Sequence, residues 1–186
     1  MYLYNIYVNG VKAISGISAQ QIIAVGGMSK DTSYLRLFTS LFAHQSLTHY
    51  LANAIMVFLL GYIVYEAFGI VRYMTGFLLS GLVGNVFMLT IINNGTSLGI
   101  SGCMFGLMGM LLVGSISKSE EFKYLNNIKY FVIIMISVCL LYTLLSADKG
   151  VNIYTHLIGF IIGVLFALCS VTIIKIKRAW FLYERS

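Results

Sequence analysis

Five long apolar stretches divide the chain, at about 47–68, 70–92, 97–117, 128–146 and 152–174. Each is close to the roughly 17–25 mostly apolar residues that a helix needs to cross a bilayer. The polar joins between them are short: Glu66–Arg72, Asn93–Ser97, Ser117–Lys129 and Ser146–Asn152. Ahead of the first stretch, 1–46 is more polar and reads as an N-terminal stub followed by a periplasmic or extracellular loop. Behind the last, 175–186 is a basic, amphipathic tail in which Trp180, Phe181 and Tyr183 suit an interface. The chain has no proline, so no segment carries a proline kink and each helix is read as continuous. The pattern predicts an all-α, polytopic transmembrane bundle with its core at 47–174.

Composition strengthens this reading. Of the 186 residues, 59% are hydrophobic and 10% charged, where soluble domains are nearer half apolar and a quarter charged. Mean hydropathy is +0.90. The length fits one compact domain. The net charge of +6 raises a nucleic-acid reading, but the basic residues are scattered between apolar stretches instead of forming one patch, so no nucleic-acid partner is expected. The positive-inside rule accounts for them better. With the tail in the cytoplasm, Arg72, Lys118, Lys123, Lys129, Lys175, Lys177, Arg178 and Arg185 lie inside, and Lys12, Lys30, Arg36 and Lys149 outside. The first residues lack a basic region followed by an apolar run, so no cleavable signal peptide is expected. Cys103, Cys139 and Cys169 lie in apolar stretches at spacings unlike a zinc site, and an odd number gives no disulfide framework.

The chemistry-bearing side chains stand where lipid should be. Ser101, in Gly99-Ile100-Ser101-Gly102, and His156 each fall about four residues into an apolar stretch that starts on the outer side, roughly 6 Å along a helix. Polar groups at that depth are costly unless they face the bundle interior or a water-filled cavity. His49 and Asn53 are expected in the same layer and, spaced i, i+4, share a helix face. This layer contains no acid, so donors to an oxyanion fit better than a metal site, and no metal or cofactor is expected. Two stripes of small residues, Gly99, Gly102, Gly106 and Gly109 on one stretch and Gly159, Gly163 and Ala167 on another, would let the two backbones pack closely. Meeting stripes could bring the serine to the histidine; each stripe alone is equally a packing surface. Cys103, two residues beyond Ser101, points to another face and is not expected to be a nucleophile. His44 falls in a loop and reads as interfacial or structural. Ala13-Ile14-Ser15-Gly16 imitates the serine motif but lies in a polar stretch.

In order along the chain, these residues resemble the rhomboid family of intramembrane serine proteases. The similarity runs from about Ile22 to Lys177. Leu35-Arg36-Leu37-Phe38-Thr39-Ser40-Leu41-Phe42 is similar to the family's Trp-Arg loop, with Leu35 in place of the tryptophan. His44, His49 and Asn53 match H-x(4)-H-x(3)-N, Gly61, Glu66 and Gly69 resemble the end of that helix, and Arg72-Tyr73 the start of the next. The run from Gly99 to Gly109 resembles the nucleophile motif, and His156 with Gly159 and Gly163 the base-bearing helix.

The resemblance implies a serine endopeptidase with Ser101 as nucleophile and His156 as base. It implies an oxyanion site of His49, Asn53 and the Ser101 amide, with Phe105 packed on the imidazole. No orienting acid is evident, because Asp31 and Asp148 lie in loops, so ring packing is expected to hold His156. Substrates would be single-pass or multi-pass membrane proteins in a lipid bilayer, with the site on the extracytoplasmic face and a bacterial plasma membrane the expected location. The family core has six helices, and only Met1–Val8 precedes the first loop here, so the first helix is expected to be partial or missing. Two other readings compete: an inactive rhomboid-like protein that binds transmembrane helices, and a small transporter or channel subunit. The transporter would require mid-membrane charges, broken helices or internal repeats, which the sequence lacks.

Overall fold

A computed structural model describes residues 1–92, 96–145 and 153–184. The joins expected at Asn93–Ser97 and Ser146–Asn152 lie largely or wholly outside the described residues, as do Asp148, Lys149 and Arg185. The helices in order are α1 (Tyr2–Asn9), α2 (Lys12–Ser15), α3 (Ala19–Ala24), α4 (Arg36–Thr39), α5 (Leu47–Phe68), α6 (Ile70–Phe87), α7 (Ser101–Ile116), α8 (Lys123–Asn127), α9 (Lys129–Leu145) and α10 (Ile153–Tyr183). Among the described residues there is no sheet, only an isolated bridge between Met28 and Ser97.

Among the described residues, three helices are long and apolar enough to cross a membrane: Leu47–Phe68, Ile70–Ile91 and Ile153–Arg178. A fourth span exists if α8 and α9, which meet at 63°, are one broken crossing. The described residues thus give three or four of the five expected spans. The stretch at 97–117 is the clearest departure. Its helix starts only at Ser101 and has 16 residues, about 24 Å against a hydrocarbon core of about 30 Å. The preceding residues do other work: Ser97 pairs with Met28 through both backbone groups, and Gly99 adopts φ +93°. Ser101 is thus the first residue of its helix and not the fifth.

α7 is the centre of the molecule, with every residue from Gly102 to Leu111 buried. α10, α6, α5, α9 and α8 pack around it. The two glycine stripes meet where α7 and α10 cross. A Cβ on Gly159 would overlap the Gly102 carbonyl, and one on Gly163 the Gly106 carbonyl. Gly109 packs against the backbone of Phe160 and Val164 in the same way. Small residues at four-residue spacing give two helices this backbone contact. On its other side, Gly106 seats Ser80 of α6.

The polar ends are more structured than the sequence pattern predicts. The join 117–129 holds a 3₁₀ turn and α8, whose Phe122 and Leu125 are fully buried under Gly114 and Phe68. Phe122 and Phe68 rings lie 4.9 Å apart. The basic tail is not a separate segment: α10 runs through Lys175 to Tyr183, with neither glycine nor proline to stop it, and Arg178 pairs with Glu121 at 2.9 Å. Residues 1–46 carry four short helices instead of a bare loop. Tyr2 stacks on Tyr50 at 4.8 Å, and the Asn5 amide donates to the His44 carbonyl at 2.8 Å.

Candidate active site

α5 sets the register of the first two polar side chains. Ser46 caps the helix, its hydroxyl accepting the His49 N–H at 3.2 Å, which satisfies one of the first-turn amides. From that start His49 and Asn53 fall one turn apart, on the face turned to the loop ahead of α7. A Cβ on Gly99 would lie 3.2 Å from the His49 ring and 3.6 Å from the Asn53 amide nitrogen. Gly99 is required twice, for its positive φ and for this close approach. Asn53 is buried, and its amide nitrogen has no hydrogen-bond partner among the described residues.

The loop is held from behind by a polar cluster at the end of α6. The Asn85 amide donates to the Leu37 carbonyl at 2.8 Å and to the Ser40 hydroxyl at 3.0 Å, and accepts from Ser97 at 3.3 Å. Ser40 in turn accepts the Gly99 N–H on its carbonyl at 2.8 Å. Three segments distant in sequence are tied together immediately before Ser101.

α10 delivers the imidazole. His156 is buried, and its Nε2 lies 2.8 Å from the Ser101 Oγ, closing a gap of 55 residues. Phe105, one turn beyond Ser101, stacks on the His156 ring at 4.4 Å between centroids and 13° between planes. The other ring nitrogen, Nδ1, lies 3.1 Å from the hydroxyl of Thr143 in α9. Sequence reasoning missed Thr143 and Asn85. A single hydroxyl or amide inside an otherwise apolar run was the available signal, since buried polar groups require partners.

Other candidates stand apart. Cys103 is fully buried against Gly81 of α6, on a different face from Ser101. Ser15 of the imitation motif lies in α2 and is exposed. His44 is buried; its Nδ1 contacts the Phe42 carbonyl at 3.3 Å, and its ring meets the His49 ring edge-on at 5.3 Å. Among the described residues, no three His, Cys, Asp or Glu side chains are grouped so as to hold a metal ion.

Chemically, the arrangement is a hydroxyl in contact with a neutral-capable imidazole at a helix N-terminus. The Ser101 N–H belongs to the first turn, whose amides have no acceptor within the helix. The Asn53 amide and the His49 ring lie beside Gly99, two residues before Ser101.

The family model for the rhomboid domain matches residues 31–173. The chain belongs to the rhomboid family. Its similarity to individual relatives is more distant. It is 29% identical over 150 residues to RHOMBOID-like protein 1 of Arabidopsis thaliana, covering 78% of this chain and 36% of that one. It is 29% identical over 133 residues to Rhomboid-like protease 3 of Toxoplasma gondii, covering 69% and 49%. A third relative, 28% identical over 102 residues and covering 52% and 29%, is the Inactive RHOMBOID-like protein 8 of Arabidopsis thaliana. The chain thus spans less than half the length of these relatives. Family membership and the apolar helices make this rhomboid-family chain a membrane-embedded protein.

Proposed function

We propose that this rhomboid-family protein is an intramembrane serine endopeptidase that cleaves membrane proteins in or near a transmembrane helix. The observation that carries the reading is the 2.8 Å contact between Ser101 Oγ and His156 Nε2, made at the start of α7 in an apolar bundle. In this reading Ser101 attacks the substrate carbonyl while His156 takes its proton at Nε2 and later returns it to the leaving amine. The tetrahedral oxyanion is received by the Ser101 amide, the Asn53 amide and the His49 ring. Preorganised donors of this kind each contribute about 10²–10³ in rate. The Asn53 amide, without a partner among the described residues, supports that role, because a buried donor without an acceptor is costly unless something else uses it. The site faces the extracytoplasmic side and the C-terminus the cytoplasm.

A serine-directed fluorophosphonate tests the reading on detergent-solubilised protein. Wild type labels, whereas Ser101→Ala and His156→Ala do not. Equal labelling of all three overturns it. Folded wild type that fails to label favours an inactive rhomboid that binds transmembrane helices without cutting them.

A further inference from the structure

We propose that Thr143 is a positioning residue that supports the reactive tautomer of His156 by accepting its Nδ1–H, in the place an orienting acid would take. The inference rests on the proposed function for its purpose, but its geometry stands alone. To accept the serine proton at Nε2, a neutral imidazole must carry its own proton on Nδ1. Stacking by Phe105 restrains the plane of the ring, yet a stacked ring can hold its proton on either nitrogen. A hydroxyl can accept from an Nδ1–H or donate to a bare Nδ1, so it does not by itself choose a tautomer, but the reactive one buries an Nδ1–H that needs an accepting partner. Thr143 Oγ1 is that partner at 3.1 Å.

The burial of α9 supports the assignment. Its buried residues are Val132, Ile136 and Thr143, and Thr143 alone is polar. Leu141, Tyr142, Leu144 and Leu145 around it are exposed. The last turns of α9 therefore bury a single side chain, only 2% exposed, and its hydroxyl meets the imidazole. Valine has nearly the same shape and would fill that space without a polar atom, so packing by itself does not call for a hydroxyl. A threonine acceptor satisfies the Nδ1–H of that tautomer but, being uncharged, stabilises an imidazolium less than a carboxylate does. Its loss is accordingly smaller than the roughly 10⁴-fold loss known for disrupting the acid of a Ser-His-Asp triad.

The test compares Thr143→Val and Thr143→Ser with wild type in ¹⁵N-histidine NMR, fluorophosphonate labelling rate and thermal unfolding. The chain has three histidines, so a His156→Ala spectrum assigns the ring. In wild type and Thr143→Ser the proton resides on Nδ1. In Thr143→Val an Nε2–H population emerges, labelling slows about tenfold, and the melting temperature stays close to that of wild type. An unchanged tautomer and rate in Thr143→Val overturns the proposal. So does a rate loss that only follows a fall in melting temperature. If wild type does not label at all, the proposed function fails, while the tautomer still reports on the Thr143 contact.

Discussion

A methyl group on Gly159 would fall on the carbonyl oxygen of Gly102. Both positions are backbone, so neither helix has a flexible side chain that can yield. This contact brings α10 near enough to α7 for His156, three residues before Gly159, to reach Ser101, the residue next to Gly102.

Gly159→Ala is expected to separate the two helices. Overpacking of this kind costs about 1–3 kcal/mol, and fluorophosphonate labelling falls with it because the two reacting side chains ride on the separated helices. Leu157→Ala, on the exposed face of α10, leaves both unchanged. Thermal unfolding and labelling rate, measured on the same preparations, read the difference.

Asn53→Ala gives the opposite combination. The amide nitrogen has no partner to lose among the described residues, so the melting temperature is expected to hold or rise slightly. Labelling is expected to slow by about 10²–10³ if the amide receives the oxyanion. A fall in stability with little change in rate would make Asn53 a packing residue instead.

Asn85 makes three hydrogen bonds, two to the segment of Leu37 and Ser40 and one to Ser97 ahead of α7. Asn85→Leu preserves the approximate volume and strands the Leu37 carbonyl and the Ser40 and Ser97 hydroxyls. Each buried group left unsatisfied costs about 1–3 kcal/mol. Asn85→Asp additionally turns a carboxylate toward the Leu37 carbonyl and is expected to be at least as damaging. Thr90→Val, which removes only a bond to the preceding turn of its own helix, serves as the control.

His44 predicts a pH dependence. Burial, and secondarily the charge of nearby His49, pushes its imidazole from the ordinary 6.5 down to about 4. The folded protein therefore binds this proton less readily than the unfolded chain. Stability is complete above pH 6.5, declines as pH falls toward 4 and levels off below it, with a total loss of up to about 3 kcal/mol. Thermal unfolding across that range should show the decline, and His44→Gln should flatten it. A slope unchanged in His44→Gln would assign the effect to other groups.

Some of the site is legible because its cues are local. His49 and Asn53 share a face through i, i+4 spacing, and the glycines recur at three- and four-residue steps wherever they are read. Other features are not local. Phe122 and Leu125 look like isolated apolar residues in a polar join until Phe68 and Gly114 close over them. Thr143 looks like a chance hydroxyl until α10 places a ring nitrogen beside it. The start of α7 depends on Ser97 pairing with Met28, 69 residues away, which hydropathy cannot register because a bilayer-length apolar run reads the same whether or not its first turn is helical.

By itself the sequence determined an all-helical membrane protein, the order of its apolar segments, and which small and polar residues share a face. Periodicity and composition act through neighbours a few residues apart, and those relationships hold in any packing. Only the tertiary structure decided that α7 begins at Ser101, that Asn85 anchors the loop before it, and that the imidazole of His156 is flanked by Ser101 on one nitrogen and Thr143 on the other. Those relations join helices far apart in the chain, and their distances follow from how closely glycine lets the backbones approach.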